Sequence, residues 1–169
     1  AGFYQTPVAV TLTPGLAGET IYYTLDGSDP DETSTVYSSP VQITSTKVLR
    51  AREYGTGLIP GKIITNTYFI NVSTDLTVVS LSTTPSNLFD EEFGIYALGD
   101  SAEPEFPYFG ANFWQDWEKP IHVELFETNG TQSFSIDAGV KIFGGWSRGQ
   151  PQKSLAIFAR SQYGSGSID

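Results

Sequence analysis

The chain has 169 residues and a formal net charge of -10, with 19 acidic against 9 basic side chains. So acidic a composition disfavours nucleic acids and anionic membranes as partners, because binding to phosphate groups needs a cationic face. The sequence has no cysteine and one histidine, His122, which excludes disulfides, thiolate metal sites, cysteine nucleophiles and multi-histidine metal sites.

Residues 1–72 alternate apolar and polar side chains with a period of two, which is typical of half-buried β-strands. Turn signals such as Asp26-Gly27 interrupt the alternation. In one predicted strand we expect Leu49 to face the core and Arg50 to face solvent. Short strands at this spacing predict an antiparallel β-sandwich. The predicted strands are residues 8–12, 21–25, 36–37, 41–43, 47–54 and 62–72.

Residues 73–169 predict a second β-rich (α+β) domain after a polar boundary. Residues 76–81 are nearly all apolar, as expected of a strand covered on both faces, and residues 84–89 predict a short helix. A hairpin turn at Asn129-Gly130 joins two strands. In the first of these we expect His122 to lie on a half-exposed face. The other predicted strands are residues 121–127, 131–136, 140–143 and 153–160.

No apolar run approaches the roughly 20 residues that span a bilayer. The sequence also has no initiator methionine and no basic leader, so we expect a processed or excised piece of a longer protein. The absence of cysteine is compatible with secretion from a bacterium.

Basic side chains are concentrated in residues 138–168, which contain four of them and no acid. Among them, Lys153 begins a predicted strand on its apolar side, where a buried, unpaired ammonium group would be very costly. The side chain therefore either reaches solvent or meets an anion, and both interpretations stay open. In the second, Arg148 and the N–H groups of the glycine-rich loop complete an anion pocket.

Three other motifs admit a chemical interpretation that the sequence disfavours. Residues 145–149 match the G-x-S-x-G nucleophile elbow, but the elbow needs a helix after the serine, and a strand is predicted here. Residues 26–32 are rich in carboxylates, but their spacing does not fit an EF-hand, so we expect a solvated turn. The aromatic residues at 106–117 suit a sugar-stacking platform or a core, and the core is favoured.

Residues 20–30, with the sequence TIYYTLDGSDP, resemble the signature of the Fn3-like domain at the C-terminus of chitobiases. Residues 37–40, 48–52 and 65–68 continue this resemblance, which extends from residue 3 to about residue 71. It implies a non-catalytic, immunoglobulin-like accessory module at residues 1–72.

The runs at 112–120, 122–124, 139–142 and, most specifically, 144–155 (GGWSRGQPQKSL) resemble the spore coat protein H (CotH) kinase-like family. Its members are atypical protein kinases that bind ATP with magnesium. The resemblance implies that Lys153 contacts the nucleotide phosphates and that Arg148 supports them. The family's catalytic and metal-binding acids lie further along the chain, so we expect this fragment to be inactive by itself.

Together these features predict a fragment of a secreted or cell-surface bacterial protein: a sandwich at 1–72 and the N-terminal part of a CotH-like domain at 73–169. One hypothesis is that the intact protein phosphorylates protein side chains with ATP and magnesium. The alternative is a non-enzymatic adhesion or glycan-associated protein, in which Trp114 or Trp117 would lie exposed in a groove. No catalytic residue, metal ligand or cofactor is assigned to the fragment itself.

Overall fold

The computed structural model describes residues 1–164 and 166–167. The fold is mainly β with several antiparallel sheets, so the predicted fold class is confirmed. No helix in the described ranges combines the length and the apolar character that crossing a membrane requires. The elements are β1 (Gly2–Tyr4), β2 (Val8–Val10), β3 (Thr20–Thr24), β4 (Thr35–Val36), β5 (Val41–Ile43), β6 (Lys47–Tyr54), β7 (Ile64–Ile70), β8 (Val78–Ser82), α1 (Ser86–Phe89), a 3-10 turn (Asn112–Trp114), β9 (Lys119–Phe126), β10 (Gln132–Phe143), a second 3-10 turn (Trp146–Gly149) and β11 (Ser154–Phe158).

The chain divides into two compact units. Unit 1 contains Ala1–Ser82 and Glu124–Ser135, and unit 2 contains Thr83–Val123 and Ile136–Asp169. The domain boundary expected between residues 72 and 73 stays a prediction.

Two sheets form most of unit 1. The larger has the strand order β1-β7-β6-β3-β4, and the smaller pairs β2 with β5. All pairings are antiparallel except that β1 runs parallel to β7. Val41 and Ile43 from the smaller sheet form one buried cluster with Leu49 and Tyr68 from the larger sheet. This cluster is the core that the alternating pattern of the first 72 residues predicts.

A third sheet has the order β11-β10-β9-β8. The predicted strands at 131–136 and 140–143 form one continuous strand, β10, which pairs antiparallel with β11. Gly139 lies inside this strand because the Glu118 and Tyr163 side chains approach its backbone too closely for a Cβ atom. A glycine that resembles a strand break in the sequence therefore serves close packing instead.

One burial prediction for this sheet is wrong. Residues 76–81 were expected to be covered on both faces, yet Val79 and Leu81 are exposed. The strand β8 is the last in the sheet order, and its burial alternates from residue to residue. The predicted short helix is present as α1.

The expectation that Arg50 faces solvent is also wrong, since the residue is 8% exposed. Its Nη1 donates to the carbonyl oxygen of Gly27 at 2.7 Å, and its Nε donates to Oγ1 of Thr65 at 3.3 Å. The guanidinium also forms an ion pair with the carboxylate of Asp29. Strand alternation places Arg50 on the face of the sheet that points away from the core. The loop after β3 covers it there and supplies most of its polar partners.

Two other carboxylates of this loop stabilise turns. Asp26 accepts hydrogen bonds from the backbone N–H of Ser28 at 3.0 Å and from its hydroxyl at 2.6 Å. Asp31 accepts the equivalent pair from Thr33, at 2.8 and 2.6 Å. The Ser28 hydroxyl lowers the pKa of Asp26, and the Thr33 hydroxyl lowers that of Asp31. The predicted turn in residues 26–32 is therefore present, and its three aspartates are bound to protein donors.

Replacing Arg50 by alanine should lower the free energy of unfolding by about 3 kcal/mol, because the buried charge-assisted hydrogen bonds are lost and the Gly27 carbonyl loses its donor. Urea denaturation measures the change. The control is Lys47→Ala, at an exposed position of the same strand, which should cost less than about 0.5 kcal/mol. Equal losses in the two variants would contradict the conclusion that the buried hydrogen bonds of Arg50 stabilise the fold.

The lowered pKa of Asp26 predicts a pH effect on stability. A carboxyl group whose pKa is lower in the folded state contributes stability above the ordinary aspartate value of about 4, and this is lost as the pH falls through the folded-state pKa. Asp26→Asn has no such titration. Between about pH 5 and pH 2 the wild type should lose more stability than the variant in thermal unfolding. Parallel pH profiles would refute this.

Candidate anion-binding site

Lys153 immediately precedes β11, and its ammonium group is held against aromatic rings. Its Nζ lies 4.0 Å from the ring centroid of Phe113 and 5.4 Å from that of Tyr96. The same nitrogen donates to the carbonyl oxygen of Gln150 at 2.8 Å. The backbone N–H of Lys153 donates to the hydroxyl of Tyr96 at 3.2 Å, which fixes the start of the strand. The partly buried side chain thus lies across two aromatic rings.

Arg148 organises the glycine-rich turn before β11. Its Nε donates to the carbonyl oxygen of Gly144 at 2.7 Å, and its Nη1 lies 3.3 and 3.5 Å from the carbonyl oxygens of Phe113 and Trp114. The guanidinium carbon lies 5.8 Å from the ring centroid of Trp114. Gly144 has a φ of 125°, which favours glycine. These contacts tie the turn to residues 112–114.

Phe113 brings the two predicted site residues together. Its carbonyl group accepts a hydrogen bond from Arg148, and its ring lies beneath the ammonium group of Lys153. The whole residue is 2% exposed. The two cations therefore approach one buried residue from its backbone and from its side chain.

Carboxylates neutralise the other two bases of this region. Lys141 pairs with Asp116 at 2.6 Å, and Arg160 pairs with Glu118 at 2.9 Å. Within residues 1–164 and 166–167, no carboxylate oxygen lies within 4.0 Å of a charged nitrogen of Lys153 or Arg148. Of the four basic side chains in this region, two are thus in ion pairs. The other two, Lys153 and Arg148, contact carbonyl groups and aromatic rings.

Burial lowers the pKa of Lys153, with no carboxylate acting in the opposite direction. The protein therefore makes the charged form of this amine less favourable than it is in water. An anion bound beside it would reverse that effect, because an opposite charge stabilises the ammonium form. This arrangement suits the recognition of a negatively charged group.

The aromatic residues at 106–117 divide between core and surface. Phe113 is buried, and the indole N–H of Trp114 donates to the carbonyl oxygen of Pro107 at 2.9 Å, so the predicted core role fits these two residues. Trp117 is exposed, with the ammonium group of Lys119 5.5 Å from its ring centroid. Of the two tryptophans considered for sugar stacking, Trp117 is thus the exposed one.

Residues 145–149 do not form a nucleophile elbow. They lie in a 3-10 turn that leads into strand β11, whereas the elbow requires a helix after the serine. The only histidine, His122, was expected to be half-exposed, but its side chain is 10% exposed, and its Nδ1 lies 2.7 Å from a carboxylate oxygen of Asp137. In the described part of the chain, no group of three or more histidine, aspartate and glutamate side chains is placed to hold a metal ion.

Glu124 is a buried acid that the sequence pattern did not reveal. Period-two alternation places it on the same strand face as His122, for which a half-exposed position was expected, yet Glu124 is fully buried. Its carboxylate accepts from the hydroxyl of Thr67 and, at 2.9 Å, from the amide of Gln132. Thr67 also shares a hydrogen bond of 2.7 Å with Ser80. These hydroxyl partners are far away in the sequence, and strand alternation gives no sign of such a network.

Comparison with known families supports one of the two resemblances. Residues 1–65 match the family model of the chitobiase/beta-hexosaminidase C-terminal domain. No curated protein and no solved structure matches the chain significantly. The CotH-like assignment of the remaining residues stays a prediction. The first part of the chain is thus similar to the C-terminal domain of chitobiases and beta-hexosaminidases.

Proposed function

We propose that residues 73–169 are the N-terminal part of a CotH kinase-like domain, in which Lys153 and Arg148 bind the phosphates of ATP. The observation that carries this proposal is that both cations contact Phe113 while, among the described residues, no carboxylate oxygen lies within 4.0 Å of their charged nitrogens. The other support is the GGWSRGQPQKSL run, which resembles the family's Arg-Gly loop followed by a lysine at the start of a strand.

In the intact protein, ATP with magnesium would supply the phosphoryl group for transfer to a protein side chain. Lys153 would neutralise phosphate oxygens as a point charge, while Arg148 would hold the turn and present its remaining N–H groups. We assign no magnesium ligand and no catalytic base to the described residues. We also propose that the protein is secreted or displayed on a bacterial cell surface, which agrees with the accessory domain at residues 1–65.

Lys153→Met should abolish the rise in melting temperature that ATP with magnesium gives the intact protein. Methionine keeps an unbranched side chain over Phe113 but removes the charge. The matched control is Lys141→Met, which removes the same charge from an ion pair with Asp116 and should preserve the shift. Differential scanning fluorimetry gives both results. No shift in the wild type, or an equal shift in the two variants, would reject the nucleotide site.

The second candidate function is association with glycans without catalysis. It is favoured by the family match of residues 1–65, since that family is the C-terminal domain of enzymes that act on carbohydrates. In this case the chain would attach a larger surface protein to a polysaccharide, and Lys153 would be a structural residue.

Glycan association predicts that the chain is retarded on a column of immobilised neutral polysaccharide and elutes when soluble oligosaccharide is added. Elution at the volume of a non-binding protein of similar size would reject this second candidate. Lys153→Met should elute with the wild type, because the retention would not depend on the anion site.

A further inference from the structure

The outer face of the larger sheet of unit 1 carries a polar cleft of about 470 Å³. This volume is within the range of about 300–1,000 Å³ for small-molecule sites. The residues that line the cleft include two tyrosines, Tyr22 and Tyr54, together with Thr20, Thr56 and Glu32. The cleft is separate from the anion-binding site, and the proposed kinase activity makes no use of it.

The two tyrosines come from adjacent strands. Tyr54 lies directly opposite Thr20, and Tyr22 lies opposite Arg52, so the two rings are diagonal neighbours on one face of the sheet. Their centroids are 5.5 Å apart and their planes are nearly perpendicular, at 86°. The rings thus form a corner instead of a flat surface.

The Tyr54 ring is held rigidly. Its hydroxyl donates to the carbonyl oxygen of Pro30 at 3.0 Å, and the guanidinium carbon of Arg52 lies 5.4 Å from its ring centroid. Arg52 is itself fixed, because its Nε donates to the carbonyl oxygen of Gly61 at 2.8 Å. A wall that is fixed before binding loses little conformational entropy when a ligand arrives.

Four other polar side chains of the cleft leave their hydrogen-bonding groups unused by the described part of the protein. The hydroxyls of Tyr22, Thr20 and Thr56 and the carboxylate of Glu32 have no hydrogen-bond partner among residues 1–164 and 166–167. They are therefore available to a ligand that brings its own hydroxyl groups. Leu58 and Pro60 add apolar surface to the same cleft.

We propose that this cleft binds a neutral oligosaccharide. A pyranose ring has an apolar face of C–H groups, which suits a tyrosine ring, and an edge of hydroxyl groups, which suits the free hydroxyls and Glu32. An anionic sugar is disfavoured, because the only charged side chain lining the cleft is an acid and the protein has a net charge of -10. This inference rests on the glycan-associated candidate function and gives it a site and a ligand class.

The test is calorimetric titration of the chain with short neutral oligosaccharides of glucose, N-acetylglucosamine, mannose and xylose. Oligomers of galacturonic acid serve as the anionic comparison. At least one neutral ligand should bind, and Tyr22→Ala should weaken its binding tenfold or more. Tyr22→Phe keeps the ring and removes the hydroxyl, so about a threefold to tenfold loss is expected. The control Phe143→Ala removes an exposed aromatic residue outside the cleft and should leave the affinity unchanged.

The outcomes separate this site from the broader function. If a neutral oligosaccharide binds and both Tyr22 variants bind it as well as the wild type, the cleft is refuted while glycan association survives. If no neutral oligosaccharide binds, both are refuted. Tighter binding of galacturonate than of every neutral sugar would refute the ligand class. If Tyr22→Ala does not fold, weaker binding by Tyr22→Phe and Thr56→Val supports the cleft, and unchanged binding by both refutes it. The melting temperature of each variant shows whether it is folded.

Discussion

The buried guanidinium group of Arg50 is the constraint on which unit 1 depends. A charge removed from water must have polar partners, and the loop after β3 provides the carbonyl group of Gly27 and the carboxylate of Asp29. The conformation of this loop also positions Pro30, whose carbonyl group accepts from Tyr54. One buried charge therefore links the most characteristic sequence of the sandwich to the wall of the proposed cleft.

In unit 2, pairing between charges determines which cations are available to a ligand. Lys141 and Arg160 are not available to an anionic ligand, because neighbouring carboxylates already bind them. All three cations lie over aromatic rings, but Lys153 forms none of the ion pairs within the described residues. Local charge balance, and not the number of basic residues, thus distinguishes a structural cation from one suited to phosphate.

Local signals in the sequence predicted most of the strands, because period-two alternation and Asn-Gly or Asp-Gly turns act over short distances. They failed where burial depends on residues far away. Arg50 and Glu124 both lie on faces that alternation leaves open, and a remote loop or strand covers each one. For the candidate sites, the run from Gly144 to Leu155 pointed to Arg148 and Lys153, but Phe113 as their common neighbour appears only in three dimensions.

The sequence does not distinguish the two tyrosines of the cleft, but their hydrogen bonds in the structure do. In the sequence, Tyr22 and Tyr54 are equivalent aromatic residues in alternating strands. Folding uses the hydroxyl of Tyr54 and leaves that of Tyr22 without a protein partner within the described ranges. Hydrogen-bonding capacity that the fold does not consume is the capacity that a ligand can use, provided that it borders a cleft. By this criterion Tyr22, more than any exposed tryptophan, is the residue on which recognition of a sugar by this chain would depend.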